Sequence, residues 1–354
     1  MIRIFRTGPH AHRTPLSYPA LAPLWEGALE EVDHPGAADL YVFAHSLDVE
    51  AAPAELVQDW RRRRRPVVIL SEEPFWDTVW GRRPLARHRV LETPSGAVPV
   101  VQLNHGTSGI YRFDRIPYYL LTNHRFAAAY GARFARNAAL SGADWAKRFA
   151  ARPAALTFMF ERRPEPFHAL RWPEAGLIGL CSWRTELAEH CTWPGVERLG
   201  QSWGAGGSRF ELDNWHLDKI VRLDGHARMI GAIENTHQAD YITEKLFDAF
   251  ACGAWPVYFA ARSHRVHGLD LPQAAWINLY GLSPARGAAR LREFAPGAED
   301  FDAYAAAQGA LAARFGDPGA WVAERARLRA AVLGELQAVL DSHPAAPEPA
   351  ELPV

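Results

Sequence analysis

The sequence predicts an α/β protein built as two Rossmann-like domains that face each other across a cleft. Two observations carry that expectation. Apolar runs of strand length alternate with helix-patterned segments in both halves of the chain, the signature of parallel sheets joined by crossovers. The 354 residues, 48% of them hydrophobic and 22% charged, suffice for two cores.

In chain order, Ile2 to Phe5 reads as a first strand. The segment "LAPLWEGALEEV" fits a helix, with Leu21, Leu24, Trp25, Ala28, Leu29 and Val32 on one stripe. "DLYVFAHS" reads as a buried strand. "APAELVQDWRRRRR" reads as a helix that turns Leu56, Val57 and Trp60 inward and stops at Pro66. "PVVILSEEP" is a strand running straight into two carboxylates. Asn123 to Arg152 is helical and Ala-rich, and the prolines of the next segment suggest a linker. The second half opens with a strand, "GLIGLCSW", followed by a helical "RTELAEHC" and a Gly-rich loop, "GQSWGAGGSRF". A helix around Asn214 to Leu223, a strand "RMIGAIEN", a loop and helix, and a strand "AWPVYFA" complete it. The expected divisions are an N-terminal domain 1–155, a linker 156–173, a C-terminal domain 174–340 and a disordered Pro- and Ala-rich tail 341–354.

Bulk properties exclude several classes. Net charge is -1 and the pI about 7.0, so nothing points to nucleic acid. No window approaches the length of a membrane span, and no signal peptide is evident. Cys181, Cys191 and Cys252 lack the spacing of a disulfide framework or zinc site and sit among apolar residues. Buried thiols and a cytoplasmic, reducing setting are expected. The arginines at 61–65 fit the solvated end of a helix. Peripheral contact with the inner face of a membrane is the competing reading. The chain gives no signal for oligomeric state.

The most informative stretch is "IENTHQADYITEKLFDAFACGAWPVY", residues 233–258. Glu234 and Asn235 fall at a strand end, where open α/β sheets bind ligands. Thr243 is a plausible N-cap, placing Glu244 and Lys245 in a first turn, with Leu246, Ala249 and Phe250 inward and Gly253 at the end. A helix start bearing a lysine is an anion site. A carboxylate beside it suits a ribose diol, and Tyr241 can stack on a base or bond a hydroxyl. These residue types suit a nucleoside diphosphate. They also fit a plainer account, in which Glu244 complements the helix dipole and Lys245 is solvated.

The stretch resembles the donor-binding motif of the fucosyltransferases of glycosyltransferase family 10, roughly F-E-N-S, a spacer, D-Y-[VIT]-T-E-K, an apolar helix and G-x-x-P-V. The matching residues are Glu234-Asn235-Thr236, Asp240 to Lys245, Gly253 and Pro256-Val257. Thr236 stands in place of Ser, and Ile233 in place of an aromatic residue. The preceding "LDKIVRLDGHARMIGA" is similar to the family's lead-in. "GLIGLCSWRTELAEH" looks like its strand–loop–Arg–helix, which puts Arg184 at the donor diphosphate, although the loop is shorter and lacks the usual Ser-Asn pair. "VILSEEPFWD" is similar to the segment carrying the catalytic carboxylate, which maps to Glu72, with Glu73 as the alternative. "YRFDRIPYYLL" resembles a further family segment.

The resemblance implies a GT-B-like fold with an acceptor-side N-terminal domain and a donor-binding C-terminal domain. It implies inverting transfer of L-fucose from GDP-fucose to an acceptor glycan, such as GlcNAc or glucose of a surface oligosaccharide. Glu72 would be general base. Arg184, Glu234, Asn235, Tyr241, Glu244 and Lys245 would form the donor site. Positive charge and the helix start would meet the leaving group, so no metal or other cofactor is expected. Asp300-Phe301-Asp302 has the look of a metal motif but precedes a helical Ala run, where N-terminal acids are ordinary. The histidines show no paired ligand spacing. The alternatives are a GT-B transferase using another nucleotide sugar, and a non-catalytic sugar-nucleotide-binding relative.

Overall fold

The computed structural model describes residues 1–81, 83–204 and 211–343. The chain divides into two units: Met1–Arg112 together with the chain from Ala323, and Phe113–Val322. Each carries its own sheet.

The first unit is built on β1 (Ile2–Arg6), β2 (Leu29–Glu31), β3 (Leu40–Phe43), β4 (Val67–Leu70), β5 (His88–Thr93) and β6 (Gly96–Leu103), in the order β2-β1-β3-β4-β6-β5. All neighbours are parallel except the β5–β6 hairpin. β3 and β4 are buried along their whole length, as central parallel strands must be. Three helices follow strand ends: α1 (Ser46–Glu50), α2 (Ala54–Arg63) and α3 (Pro74–Val79). Leu56, Val57 and Trp60 of α2 pack with Tyr41, Phe43, Val67, Ile69, Val98 and Val100. Arg64, with φ 53°, ends α2 two residues before Pro66. The arginine run takes part in the local fold. Arg62 pairs with Asp59 at 2.6 Å, Arg63 donates to the carbonyls of Pro35 and Ala38, and Arg64 lies over Trp60.

The second unit begins with α4 (Tyr118–Leu121), α5 (His124–Ala138) and α6 (Gly142–Ala150). Its strands and helices then alternate: β7 (Ala154–Met159), β8 (Arg171–Trp172), β9 (Leu177–Gly179), α7 (Cys181–His190), β10 (Val196–Leu199), α8 (Trp215–Leu223), β11 (Ala227–Gly231), β12 (Thr236–His237), α9 (Glu244–Ala251), β13 (Trp255–Tyr258) and β14 (Ile277–Asn278). The main sheet, β10-β7-β11-β13-β14, is wholly parallel, and β12-β9-β8 form a small antiparallel sheet. α10 (Pro284–Arg292) and α11 (Ala298–Phe315) follow, and α12 (Pro318–Ser342) carries the chain into the first unit. The two sheets, one wholly parallel and one parallel but for its terminal hairpin, make the protein a mixed α/β chain.

Three expectations are corrected. Residues 21–32 do not form a helix. They make a 3-10 turn at Ala22–Leu24, further turns, and β2. Pro23 can only start a helix, Gly27 takes φ 71°, and the Ala20 and Leu24 carbonyls accept from Arg325 and Arg329 of α12. Leu21 and Trp25 are nonetheless buried. The expected linker 156–173 contains most of β7, an internal strand of the second sheet, because "AALTFM" is apolar and the prolines begin only at Pro164. The boundaries therefore fall at 112/113 and 322/323, and α12 completes the N-terminal unit. The strand expected over "GLIGLCSW" stops at Gly179, and Cys181 already begins α7. Of the expected tail, 344–354 lie outside the described residues; so do 205–210 of the Gly-rich loop.

Other expectations hold. The three cysteines are free and buried. Asp300 is a helix-start acid, accepting the Gly297 amide at 2.8 Å. Among the described residues no helix is long and apolar enough to cross a membrane.

The turn between α9 and β13 depends on one glycine. Gly253 has φ 72°, and a Cβ there would meet Trp145 and the Arg152 guanidinium at 2.8 Å. That guanidinium donates to the carbonyls of Ala227 and Cys252, so it cannot yield freely. Gly253→Ala should cost about 2 kcal/mol from backbone strain and overpacking. Urea unfolding within about 0.5 kcal/mol of wild type would rule this out.

Candidate functional site

The candidate donor site grows from the end of β11. Buried Ala232 and Ile233 bring the chain to Glu234, which is 3% exposed. The chain then makes a loop and returns at Thr243, the N-cap of α9. Glu234 closes this loop. Its Oε1 accepts the Thr243 amide at 2.8 Å, and its Oε2 accepts the Thr243 hydroxyl at 2.7 Å. The Lys245 ammonium lies 3.1 Å from Glu234 Oε2, 3.6 Å from Glu244 Oε1 and 2.9 Å from Thr243 Oγ1. Lys245 is the partly exposed member of the set. A strand end, a helix start and a lysine are thus fixed to one carboxylate.

Electrostatics separate the two glutamates. Burial pushes Glu234 up, with Lys245 opposing, and the net direction is upward. Glu244 is also driven up by burial, but Lys245 and Lys219 outweigh that and hold it below the usual carboxylate range. Lys219, on α8, lies 4.0 Å from Glu244 and 2.8 Å from Asp248. Asp248 Oδ1 accepts from Tyr130 and from His216 Nε2, each at 2.7 Å. Burial opposes the charge on Asp248, yet Lys219 and His216 bring it down to about 2.

The remaining expected residues sit close by. The Asn235 carbonyl accepts the Leu180 amide at 2.8 Å, and Thr236 pairs with Gly179, so the loop is docked on the start of α7. Arg184, in the first turns of α7, is 3% exposed. It donates to the Ile233 carbonyl at 3.0 Å and lies over the Phe160 ring. Its Nε has no acceptor among the described residues. Tyr241 is 4% exposed, within the body of the unit.

Glu72 and Glu73 lie in the first unit, after β4. Glu72 is 3% exposed and accepts from the Tyr18 hydroxyl at 2.5 Å. Its carbonyl accepts His105 Nε2–H at 2.9 Å. Burial takes His105 down to about 3, so that ring is neutral. Asp77, one turn into α3, is pushed by burial to about 8. Glu73 is more exposed and lies 3.8 Å from an Arg13 nitrogen. The two carboxylates are therefore in different surroundings, one buried against Tyr18 and one partly buried beside an arginine.

Sequence reasoning missed Lys219, Asp248, His216 and Tyr130. Asp248 carried a signal, since a carboxylate inside "KLFDAFA" is flanked by buried positions and must be paired there. Its three partners come from α5 and α8 and leave no local trace.

A parallel α/β unit with a strand-end carboxylate and a lysine at a helix start is the kind of place where open α/β sheets bind anionic ligands. Residues 202–306 match the family model described as glycosyltransferase family 10 (fucosyltransferase) C-term. The matched segment holds Lys219, Glu234, Asn235, Tyr241, Glu244, Lys245 and Asp248. Over that segment the chain is similar to the C-terminal part of the glycosyltransferase family 10 fucosyltransferases. No curated protein reaches the threshold for a match to it.

The Asp248 cluster makes a stability prediction. Asp248→Asn leaves Lys219 buried beside a neutral partner and should cost about 3 kcal/mol or more. Adding Lys219→Met should recover part of that loss, since an apolar replacement strands no charge. Strictly additive losses in urea unfolding would show that the pair is not coupled. The wild-type contribution is present above the ordinary value of 3.8 and is lost as pH falls toward about 2.

Proposed function

We propose that the protein moves L-fucose from GDP-fucose to a hydroxyl of an acceptor glycan, with inversion at the anomeric carbon and without a divalent metal. GlcNAc or glucose of a surface oligosaccharide is the acceptor class, and the reaction is placed in the cytoplasm, at or near the inner face of a membrane. The observation that carries the reading is the assembly at the start of α9, where Glu234 holds Thr243 and Lys245 together.

The chemistry follows from that assembly. Lys245 and the N-terminus of α9 supply positive potential to a diphosphate whose charge grows as the bond to fucose breaks. Glu244, held ionised by two lysines, is an acceptor-only group of the kind a ribose diol requires. Arg184 fixes the backbone just before Glu234, and its unpartnered Nε–H is the donor it can offer a phosphate oxygen. Asn235, whose carbonyl docks the loop on the start of α7, and Tyr241 complete the donor set. Glu72, oriented by the Tyr18 hydroxyl, takes the proton of the acceptor hydroxyl as it attacks.

The test is transfer from GDP-fucose in EDTA to N-acetyllactosamine and lipo-oligosaccharide acceptors, with the product anomer read by NMR. Inverted product is expected. Tighter binding of UDP or ADP than GDP would point to another donor. Lys245→Ala should weaken GDP binding by roughly 1.5–3 kcal/mol, the worth of a charge-assisted contact. GDP affinity equal to wild type in calorimetry would remove Lys245 from the site. Glu72→Gln should lower turnover about 10²–10⁴-fold with GDP affinity unchanged, and Glu73→Gln should be milder. The reverse ranking would move the base to Glu73.

A further inference from the structure

The first unit holds a second cluster that the donor chemistry does not use. Gly8 and His10 follow β1, and His45 and Asp48 follow β3, the neighbouring strand. Asp48 is 3% exposed and organises the group. Its Oδ2 accepts the His10 amide at 3.2 Å, and its Oδ1 accepts His10 Nδ1–H at 2.6 Å. Gly8, with φ 104°, permits this approach, because a Cβ there would lie 2.5 Å from Asp48 Oδ2. The His10 and His45 rings stack at 4.6 Å. Trp76 and Trp80 enclose them, with centroids 5.2 and 6.4 Å from His10 and 4.9 and 4.7 Å from His45. Trp80 is 38% exposed.

Two histidines and an aspartate bring metal to mind, and one ligand atom from each lies within 4.8 Å of the others. The geometry argues otherwise. The rings are only 12° from parallel, so their in-plane lone pairs do not converge on one ion. His45 Nδ1 accepts the Leu47 amide at 3.1 Å as the cap of α1, which leaves the proton on Nε2. Coordination through that nitrogen would require the opposite tautomer and loss of the cap.

The same bonds specify a different ligand. With Nδ1–H given to Asp48, His10 has Nε2 left for a ligand. That atom is not among the buried unpartnered atoms and has no hydrogen-bond partner among the described residues. An oriented imidazole nitrogen beside two indole rings, one of them 38% exposed, fits a neutral pyranose ring, whose C–H face stacks on aromatics while its hydroxyls hydrogen-bond. Trp76 also links the cluster to the Glu72–Glu73 segment, for Arg13 lies over Trp76 and 3.8 Å from Glu73. We infer that His10, Trp76 and Trp80, braced by Asp48 and His45, form the acceptor-sugar subsite, with a sugar hydroxyl hydrogen-bonded to His10 Nε2 and the ring resting on Trp80. The inference rests on the glycan acceptor of the proposed function, and it does not depend on which nucleotide the second unit binds.

Binding is therefore read without donor, by saturation-transfer NMR with N-acetyllactosamine, lactose and GlcNAc, and then by acceptor KM in the transfer assay. At least one of the three sugars should show saturation transfer from the wild-type protein. His10→Ala and Trp80→Ala should each weaken that sugar by about tenfold, the loss expected of one hydrogen bond or one stacking face. GDP affinity should stay within about twofold, a change too small to mark a lost contact. Asp48→Asn should raise acceptor KM more than it lowers kcat, since it acts by orienting His10. No saturation transfer from any of the three sugars overturns the subsite. So does unchanged affinity in both alanine variants, or zinc binding that is abolished together by His10→Ala and His45→Ala. Sugar binding that follows these expectations while GDP fails to bind would leave the subsite standing and sink the donor assignment instead.

Discussion

The strand-end assembly of the second unit depends on one carboxylate that takes two hydrogen bonds from a single residue. Glu234 accepts both the amide and the hydroxyl of Thr243, and so joins the end of β11 to the start of α9. Without that clamp the intervening loop would have to be held by its own backbone turns. With it, the first-turn lysine has a fixed root. The ammonium of Lys245 is placed by Thr243 and the two glutamates. A flexible four-carbon side chain thereby loses much of its freedom before any ligand arrives, which lowers the ordering cost of binding.

That arrangement buries a good deal of charge, and the second layer makes it tolerable. Glu234, Glu244 and Asp248 are all nearly inaccessible, and three carboxylates so close would normally titrate upward. Lys245 and Lys219 reverse this for Glu244, and Lys219 and His216 for Asp248, but Lys245 does not for Glu234. Asp248 is the deepest and has most partners, with Tyr130, His216 and Lys219 converging on it. Buried ion pairs add little stability relative to apolar packing, but they impose large penalties when half-removed. The cluster therefore makes the geometry around α9 hard to alter piecemeal.

What could be read from the sequence was what is encoded locally. The strand end at Glu234, the cap at Thr243 and the inward face of α9 lie within a few residues of one another, and each was legible. Leu56, Val57 and Trp60 were legible on α2 for the same reason. The misreadings arose where distant parts of the chain decide. Leu21 and Trp25 have a helical stripe and are buried, yet their segment is shaped by Pro23, Gly27 and the arginines of α12 some three hundred residues away. β7 was passed over because the prolines that follow it dominate the segment's appearance. The Asp248 cluster draws on α5, α8 and α9, and no local pattern announces that Tyr130 and His216 will meet the same oxygen.

The first unit repeats this logic with different chemistry. Parallel strands deliver their following loops to one edge of a sheet, and β1, β3 and β4 are adjacent in its order. Their loops bring His10 and Tyr18, His45 and Asp48, and Glu72 and Glu73 to that edge. Each of these side chains is fixed by a residue from another loop: Glu72 by Tyr18, His10 by Asp48, and His45 by the rings of Trp76 and Trp80. No single loop could build either arrangement, since a loop that orders its own polar side chains bears the full entropy of doing so. Cross-bracing between loops shares that cost with the sheet, whose buried strands set the spacing. The edge therefore holds Glu72 and His10 in defined orientations, as the proposed transfer to one sugar hydroxyl among several chemically similar ones requires.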